Sequence, residues 1–284
     1  MRTSLSHPDS PRHAVLGGSV IRVAARHPYL ECEGPLAIAH RGGALEAAEN
    51  TRSGFEYAVS VGYRHLETDV QVTSDGVAVL FHDDVLDRVT DATGRVSGLR
   101  WSDVRNVGTP AGTDQIMRLD HALEAFPNQC FNLDLKSEAS VDVTLAVLAS
   151  MKCYDRVLLG AFSDARLETV RRRVGPILAT SAGPGEVLAY VAASRGLPFP
   201  RTPRSPHAPL ALQIPISMYR VPILSRRLVE YAHGLGIQVH MWTIDDEAEM
   251  RRLLDLGVDG ILTDRPAALR TVLKERGEWF DHSS

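Results

Sequence analysis

From residue 36 onward the chain alternates short apolar runs with longer stretches whose apolar positions fall three and four apart. Residues 36–39 (Leu-Ala-Ile-Ala) form a compact apolar run, the pattern of a strand buried on both faces. Asn50-Thr51 can cap a helix whose face carries Phe55, Ala58 and Val59, with Gly62 closing it. Residues 65–72, a Thr73-Ser-Asp-Gly76 turn and residues 77–81 read as strand, turn, strand, and residues 119–126 as a short helix. After Asn128 the rhythm becomes regular. Strands are predicted over 131–136, 157–162, 177–181, 210–214, 238–244 and 260–264, separated by helices over 141–151, 186–195, 224–235 and 245–256, the last with an Asp cap. Another helix starts at Ser163 or Asp164, and Pro266 suits the first turn of the final one.

Three stretches break this rhythm. Residues 1–34 have no sustained period and read as a flexible or partly ordered extension. Residues 84–113 are turn-rich and form a short excursion after the second strand, too short for a core of its own. Residues 196–209 are proline-rich and read as a loop. About eight strand-helix units remain. Such repeats imply parallel pairing, and eight close into a TIM (β/α)8 barrel, here a single α/β domain over residues 35–278.

Composition leaves that picture intact and removes alternatives. The 284 residues, 44% hydrophobic and 23% charged, can build one large core, and a formal net charge of -4 argues against a nucleic-acid partner. Cys32, Cys130 and Cys153 are too few and scattered for a disulfide framework or a thiolate metal site. No stretch reaches the ~18 apolar residues of a membrane span, and residues 1–33 lack a signal-peptide core, so the expected location is the cytoplasm.

The chemistry gathers at one predicted edge. His40, Glu67, Asp69, Asp134, Lys136 and Trp242 all fall late in their strands, the edge where barrels of this kind carry their sites. Glu67 and Asp69, two apart on a strand, point to one face, and buried acids there need compensation. Paired carboxylates suit a hard divalent cation, with Asp134 able to complete the cluster and Lys136 to meet a phosphate oxygen or balance the acids. Histidine as a residue type titrates near neutrality, so His40 and His82 are candidates for the base and acid that phosphodiester cleavage needs, with Asp83 or Asp84 able to orient His82. Arg41 is a candidate phosphate clamp, since its planar fork suits two phosphoryl oxygens, and Gly42 and Gly43 either admit a ligand to the backbone or form the turn. Trp242 either packs on a ligand's carbon backbone or fills the core. His65 and His240 read as core, Asp264 as a helix cap, while Glu46 and Glu49 receive no role from the pattern.

His40-Arg41-Gly42, Glu49-Asn50-Thr51, Glu67-Thr68-Asp69, His82-Asp83, Asn132-Leu-Asp-Leu-Lys136, Trp242-Thr243 and Asp259-Gly-Ile-Leu-Thr-Asp-Arg-Pro266 together resemble the glycerophosphodiester phosphodiesterase family, in the family's order, across about residues 35–275. The resemblance implies a TIM barrel that hydrolyses small-molecule glycerophosphodiesters to sn-glycerol 3-phosphate and an alcohol. It implies a divalent cation, Mg²⁺ or Ca²⁺, on Glu67, Asp69 and Asp134, catalysis by His40 and His82, and phosphate contacts from Arg41 and Lys136. Two departures stand out: Asp134 is one methylene shorter than the Glu of most microbial members, and Asp245 replaces an Asn after the Trp-Thr stretch.

The expected mechanism has the cation, Arg41 and Lys136 neutralising phosphate charge, with His40 as base and His82 as acid. Two rival readings keep the barrel. One is a phospholipase D-like enzyme acting on lysophospholipids, favoured by an apolar rim over residues 214–224 with Met218, Tyr219, Val221 and Ile223. The other is a catalytically silent phosphate-ligand-binding barrel, which has no need of two proton carriers.

Overall fold

Strand β1 (Leu36–Ala39) sits between two parallel neighbours, and the rest of the sheet grows outward from it. The computed structural model describes residues 24–108, 114–198, 207–218 and 221–280. The parallel strands β2 (His65–Val72), β4 (Cys130–Leu135), β5 (Val157–Gly160) and β6 (Ala179–Thr180) follow on one side of β1. On the other side lie β11 (Gly260–Thr263), β10 (Gln238–Met241) and β7 (Ala211–Ile214). The seam between β6 and β7 is held by the parallel bridge Ser181–Ala211, with Leu210 N donating to Thr180 O at 2.9 Å and Ala182 N to Ala211 O at 2.8 Å. Eight parallel strands thus close a barrel, as the sequence rhythm predicts. β3 (Ala78–Leu80) folds back antiparallel on β2, and β8 (Ser217–Met218) pairs with β9 (Val221–Pro222) as a small hairpin.

The helices α1 (Arg52–Ser60), α3 (Leu119–Ala125), α4 (Glu138–Met151), α5 (Asp164–Val174), α6 (Pro184–Ser194), α7 (Arg226–Gly234), α8 (Glu247–Leu256) and α9 (Pro266–Glu275) return the chain to the next strand. Their starts follow cap chemistry. Thr51, Ser137, Ser163 and Ser225 each accept a backbone N–H of the first turn, so α4 begins before its first periodic residue at Ser137. Asp246, not Asp245, caps α8.

Inside the barrel, Leu36, Ile38, Cys130, Leu158, Ala179, Ala211 and Leu262 form an apolar cluster that continues into Tyr29 and Leu30. Of residues 1–34, read as a flexible or partly ordered extension, residues 24–34 are described and pack Tyr29 and Leu30 into this cluster; residues 1–23 lie outside the described residues. A single turn, Pro28–Leu30, plugs the amino end of the barrel and buries both side chains. His65 Nε2 donates to Tyr29 O at 2.8 Å, and Gln238 Nε2 to Leu30 O at 3.3 Å. An open barrel end would leave interior apolar surface wet, and one aromatic turn covers it, but a single turn has no period for a sequence reading to detect. His240 is also buried in the interior, as expected, with Nε2 3.0 Å from Gln238 Oε1.

The excursion has, as expected, no core of its own. It carries α2 (Trp101–Val104) and a small apolar cluster of Val79, Phe81, Leu86, Val96, Val104 and Ile116. β3 contributes Val79 and strand-end Phe81 follows it, so the short segment completes a core that it could not build alone. Of the proposed apolar rim, Ile214 and Ile223 are buried, which removes them from it. Tyr219 and the side chains of Met218 and Val221 lie outside the described residues. No helix among the described residues is long and apolar enough to cross a membrane.

Removing the plug's aromatic ring should be costly: Tyr29→Ala is expected to lower unfolding free energy by about 3 kcal/mol in urea titration, and a loss below about 1 kcal/mol would show the turn to be ornamental. His240 gives a pH signature. Burial pushes its pKa down to about 4, so the unfolded chain binds the extra proton between there and ~6.5. Its stabilisation is therefore complete above pH ~6.5 and is lost progressively as pH falls toward 4, by up to about 3 kcal/mol. His240→Gln should flatten urea-derived stability over that window relative to the parent.

Candidate active site

The site begins one residue past β1. His40–Gly42 form a tight turn in which Arg41 (φ 51°), Gly42 (φ 83°) and Gly43 (φ 103°) are left-handed. A Cβ on Gly43 would lie 2.6 Å from Pro266 of α9, and one on Gly42 2.9 Å from the carbonyl carbon of Gly54 in α1. These glycines form the turn and let it dock on both helices. The left-handed Arg41 costs on the order of 1 kcal/mol, and the turn uses that conformation to aim the residue inward. Its N–H donates to Glu67 Oε2 at 2.9 Å, its Nε lies 3.3 Å from Asp69 Oδ2, and its Nη1 donates to Glu49 Oε1 at 3.2 Å.

His40 Nδ1 lies 2.7 Å from Asp264 Oδ1. A carboxylate only accepts, so Nδ1 carries the proton and Nε2, 3.8 Å from Glu67, is free to exchange one. Burial opposes the charged ring, but Glu67 and the Asp264 hydrogen bond outweigh it and raise the proton affinity of His40. Asp264 was expected as a helix cap. Instead Arg265 occupies that position, without a side-chain cap bond, and Asp264 serves the histidine. Asp245 fixes it there by accepting from Asp264 N at 2.7 Å and Thr263 Oγ1 at 2.9 Å.

The second histidine follows β3, at the same edge. His82 Nδ1 lies 2.5 Å from Asp83 Oδ1, so Asp83 rather than the exposed Asp84 orients it. Arg88 holds Asp83 in turn, and together with His82 it keeps that carboxyl down at about 2 against a modest desolvation.

Glu67 and Asp69 lie on the interior side of β2, and the register sets Asp69 beside Asp134 and Glu67 beside Asn132 of β4. Lys136, just past β4, places its ammonium 2.7 Å from Asp69 Oδ1 and 2.7 Å from Asp134 Oδ2. Burial raises the Asp69 carboxyl, but Lys136 and Arg41 outweigh it and bring it below the usual range. Glu67 has no such cation and is pushed up to about 7 by burial and by Asp69. With Lys136 lying between Asp69 and Asp134, no three His, Cys, Asp or Glu side chains among the described residues are gathered in metal-ligand geometry. Below them, Asn132 Oδ1 is a buried acceptor with no hydrogen-bond partner.

Trp242, one residue past β10, meets Phe162 edge to face with ring centroids 5.5 Å apart, and Lys136 Nζ lies 6.0 Å above the Phe162 ring. The structure therefore brings His40, Arg41, Glu67, Asp69, His82, Asp134, Lys136 and Trp242 to one end of the barrel. Residues that pattern alone missed are Asp264, Asn50, Glu49 and Arg88. Asn50 is no cap: left-handed at φ 56°, it donates to Asp69 Oδ2 at 3.0 Å and accepts from Thr68 Oγ1 at 2.7 Å. Only its place in the Glu49-Asn50-Thr51 motif could have marked it.

Fold and site together define a (β/α)8 barrel with two histidine–carboxylate pairs and a cluster of acids and cations at its carboxyl edge. Residues 40–268 match the model of the glycerophosphoryl diester phosphodiesterase family, and the chain belongs to that family of phosphodiesterases. It is 37% identical over 256 residues to a probable glycerophosphodiester phosphodiesterase 2 of Mycobacterium tuberculosis, covering 88% of this chain and 95% of the relative. It is 29% identical to the human Lysophospholipase D GDPD1, over 83% of this chain and 85% of that one. Among solved structures, a putative glycerophosphoryl diester phosphodiesterase from Silicibacter pomeroyi superposes with a TM-score of 0.73 at 23% identity, over 89% of this chain and all of the other. An Oleispira antarctica phosphodiesterase in complex with sn-glycerol-3-phosphate superposes at 0.70, with 22% identity, over 85% and 97% of the two chains.

If Asp264 sets the ring of His40, Asp264→Ala should lower kcat about a hundredfold while KM changes little. Steady-state kinetics on glycerophosphocholine, with the melting midpoint as a folding check, measures this; kcat within twofold of the parent would remove Asp264 from the site.

Proposed function

We propose that the chain hydrolyses glycerophosphodiesters to sn-glycerol 3-phosphate and an alcohol, with His40 and His82 moving protons beside a divalent cation held by Glu67, Asp69 and Asp134. Family membership supports the reaction. The observation that carries the mechanism is the pair of histidines at one barrel edge, each with Nδ1 on a carboxylate and Nε2 left to exchange a proton. A silent binding barrel has no use for two such dyads.

The donor chemistry suits a hard cation such as Mg²⁺ or Ca²⁺, but Lys136 stands between Asp69 and Asp134, so this reading requires its ammonium to move aside for the three acids to gather round the ion. The donor atoms are carboxylate oxygens, the ligands such ions prefer, and Glu67, pushed up to about 7 first by burial and then by Asp69, is the acid that the protein's own cations meet least. When bound, such a cation would neutralise phosphate charge that builds in the transition state. Arg41 offers a planar fork to two phosphoryl oxygens, and the Lys136 ammonium a point charge on the other side. His40, made the stronger base by Glu67 and Asp264, takes the proton of the nucleophile, which is water or the substrate's own neighbouring hydroxyl (water then opening the cyclic phosphate), and His82 gives one to the leaving oxygen.

Two exposed apolar side chains at the same edge favour a second substrate class. Leu45 and Phe162 are 61% and 66% exposed, on the loops after β1 and β5. They give an acyl chain a surface to lie on, so lysophospholipids are the second reading.

Incubation with glycerophosphocholine, glycerophosphoethanolamine and lysophosphatidylcholine, each with Mg²⁺, Ca²⁺ or EDTA, tests both. Glycerol 3-phosphate should appear with a metal and stop with EDTA, and Glu67→Gln and Asp69→Asn should each abolish it and weaken calorimetric metal binding. Activity that survives excess chelator refutes the cation; lysophosphatidate as the dominant product moves the assignment to the second reading.

A further inference from the structure

Arg88 lies outside every barrel strand, on the excursion, and no step above uses it. Its guanidinium nevertheless joins the two catalytic arms. Nη1 and Nη2 donate to Glu49 Oε2 and Oε1 at 2.8 and 2.7 Å, and Nε and Nη2 donate to Asp83 Oδ2 and Oδ1 at 2.6 and 3.2 Å. Glu49 also holds Arg41 Nη1, and Asp83 holds His82 Nδ1. One planar group thus meets two carboxylates, each of which orients a residue aimed at the phosphate site. Lysine, a point charge, cannot reproduce both forks.

The excursion is built to present this side chain. Leu86, two residues earlier, is buried in the excursion's apolar cluster. Its N–H donates to Gly94 O at 3.0 Å, Val96 N donates to Asp84 O at 3.0 Å, and Thr90 Oγ1 donates to Leu86 O at 2.7 Å. The loop that carries Arg88 is therefore cross-tied at both ends. Arg88 is 47% exposed in its side chain, where isolated ion pairs contribute little. Two bidentate contacts to partly buried carboxylates are a different case, because they fix geometry.

We propose that Arg88 is a positioning residue that locks the His82–Asp83 dyad and the Arg41–Glu49 arm in one mutual arrangement, which makes the excursion part of the active site. The proposal rests on the phosphodiesterase reading for its kinetic consequence, but its structural content can be measured without turnover.

The test is Arg88→Met in the full chain. First, NMR follows the downfield Nδ1–H resonances of the His–carboxylate pairs, assigned by their loss in His82→Ala and His40→Ala. In Arg88→Met the His82 resonance should broaden or move upfield, while the His40–Asp264 resonance stays as an internal control. An unchanged His82 signal overturns the proposal whether or not the protein is active. Second, turnover of glycerophosphocholine is measured for Arg88→Met, Asp83→Asn and the double variant. We expect at least a tenfold loss of kcat for Arg88→Met, and a double variant within about twofold of the slower single one. Single-variant losses that multiply in the double variant, or kcat unchanged in Arg88→Met, overturn it. Absence of turnover in the parent refutes the phosphodiesterase reading separately, and the NMR result then decides the proposal by itself.

Discussion

Everything at the carboxyl edge answers one electrostatic problem: three acids, Glu67, Asp69 and Asp134, stand on neighbouring strands of a closed barrel. Asp69 and Asp134 are register partners, and Glu67 lies two residues before Asp69 on the same side. Carboxylates taken out of water cost several kcal/mol each unless cations and donors meet them. Lys136 bridges two of them, Arg41 reaches Asp69 with its side chain and Glu67 with its backbone N–H, and Asn50 donates to Asp69. The left-handed turn at Arg41 and the left-handed Asn50 are local costs that serve this compensation.

Around the acids the protein builds in layers. The two histidines each spend one nitrogen on a carboxylate, and those carboxylates are held in turn: Asp264 through Asp245 and Asp83 through Arg88. The supports come from elements far apart in sequence, the β10–α8 loop for His40 and the excursion for His82. The barrel gathers them because every strand delivers its carboxyl end to the same rim. The opposite rim is sealed by Tyr29 and Leu30, which leaves one mouth for chemistry.

Much of this was legible in the chain. Apolar runs and helical spacings gave the eight units, and the i, i+2 spacing of Glu67 with Asp69 and of Asp134 with Lys136 placed charge on interior faces. What escaped has a common cause. Asp264 looks like a cap because Asp before a proline-led helix usually is one; only the closure of β11 against β1 turns it toward His40. Asn50 beside Thr51 offers two equally good caps, and the fold uses Thr51 for the helix and Asn50 for Asp69. Arg88 and the Tyr29 plug sit in segments without a period, so local pattern carries no information about them.

The sequence by itself determined the barrel, the edge at which its acids, histidines and cations gather and the residue types present there, because these follow from periodicity and from short-range spacing. The tertiary structure decided which carboxylate serves which cation or histidine. Partners such as His40 with Asp264, 224 residues apart, are chosen by sheet closure and by the need to satisfy buried charge, and neither is written in any local stretch of the chain.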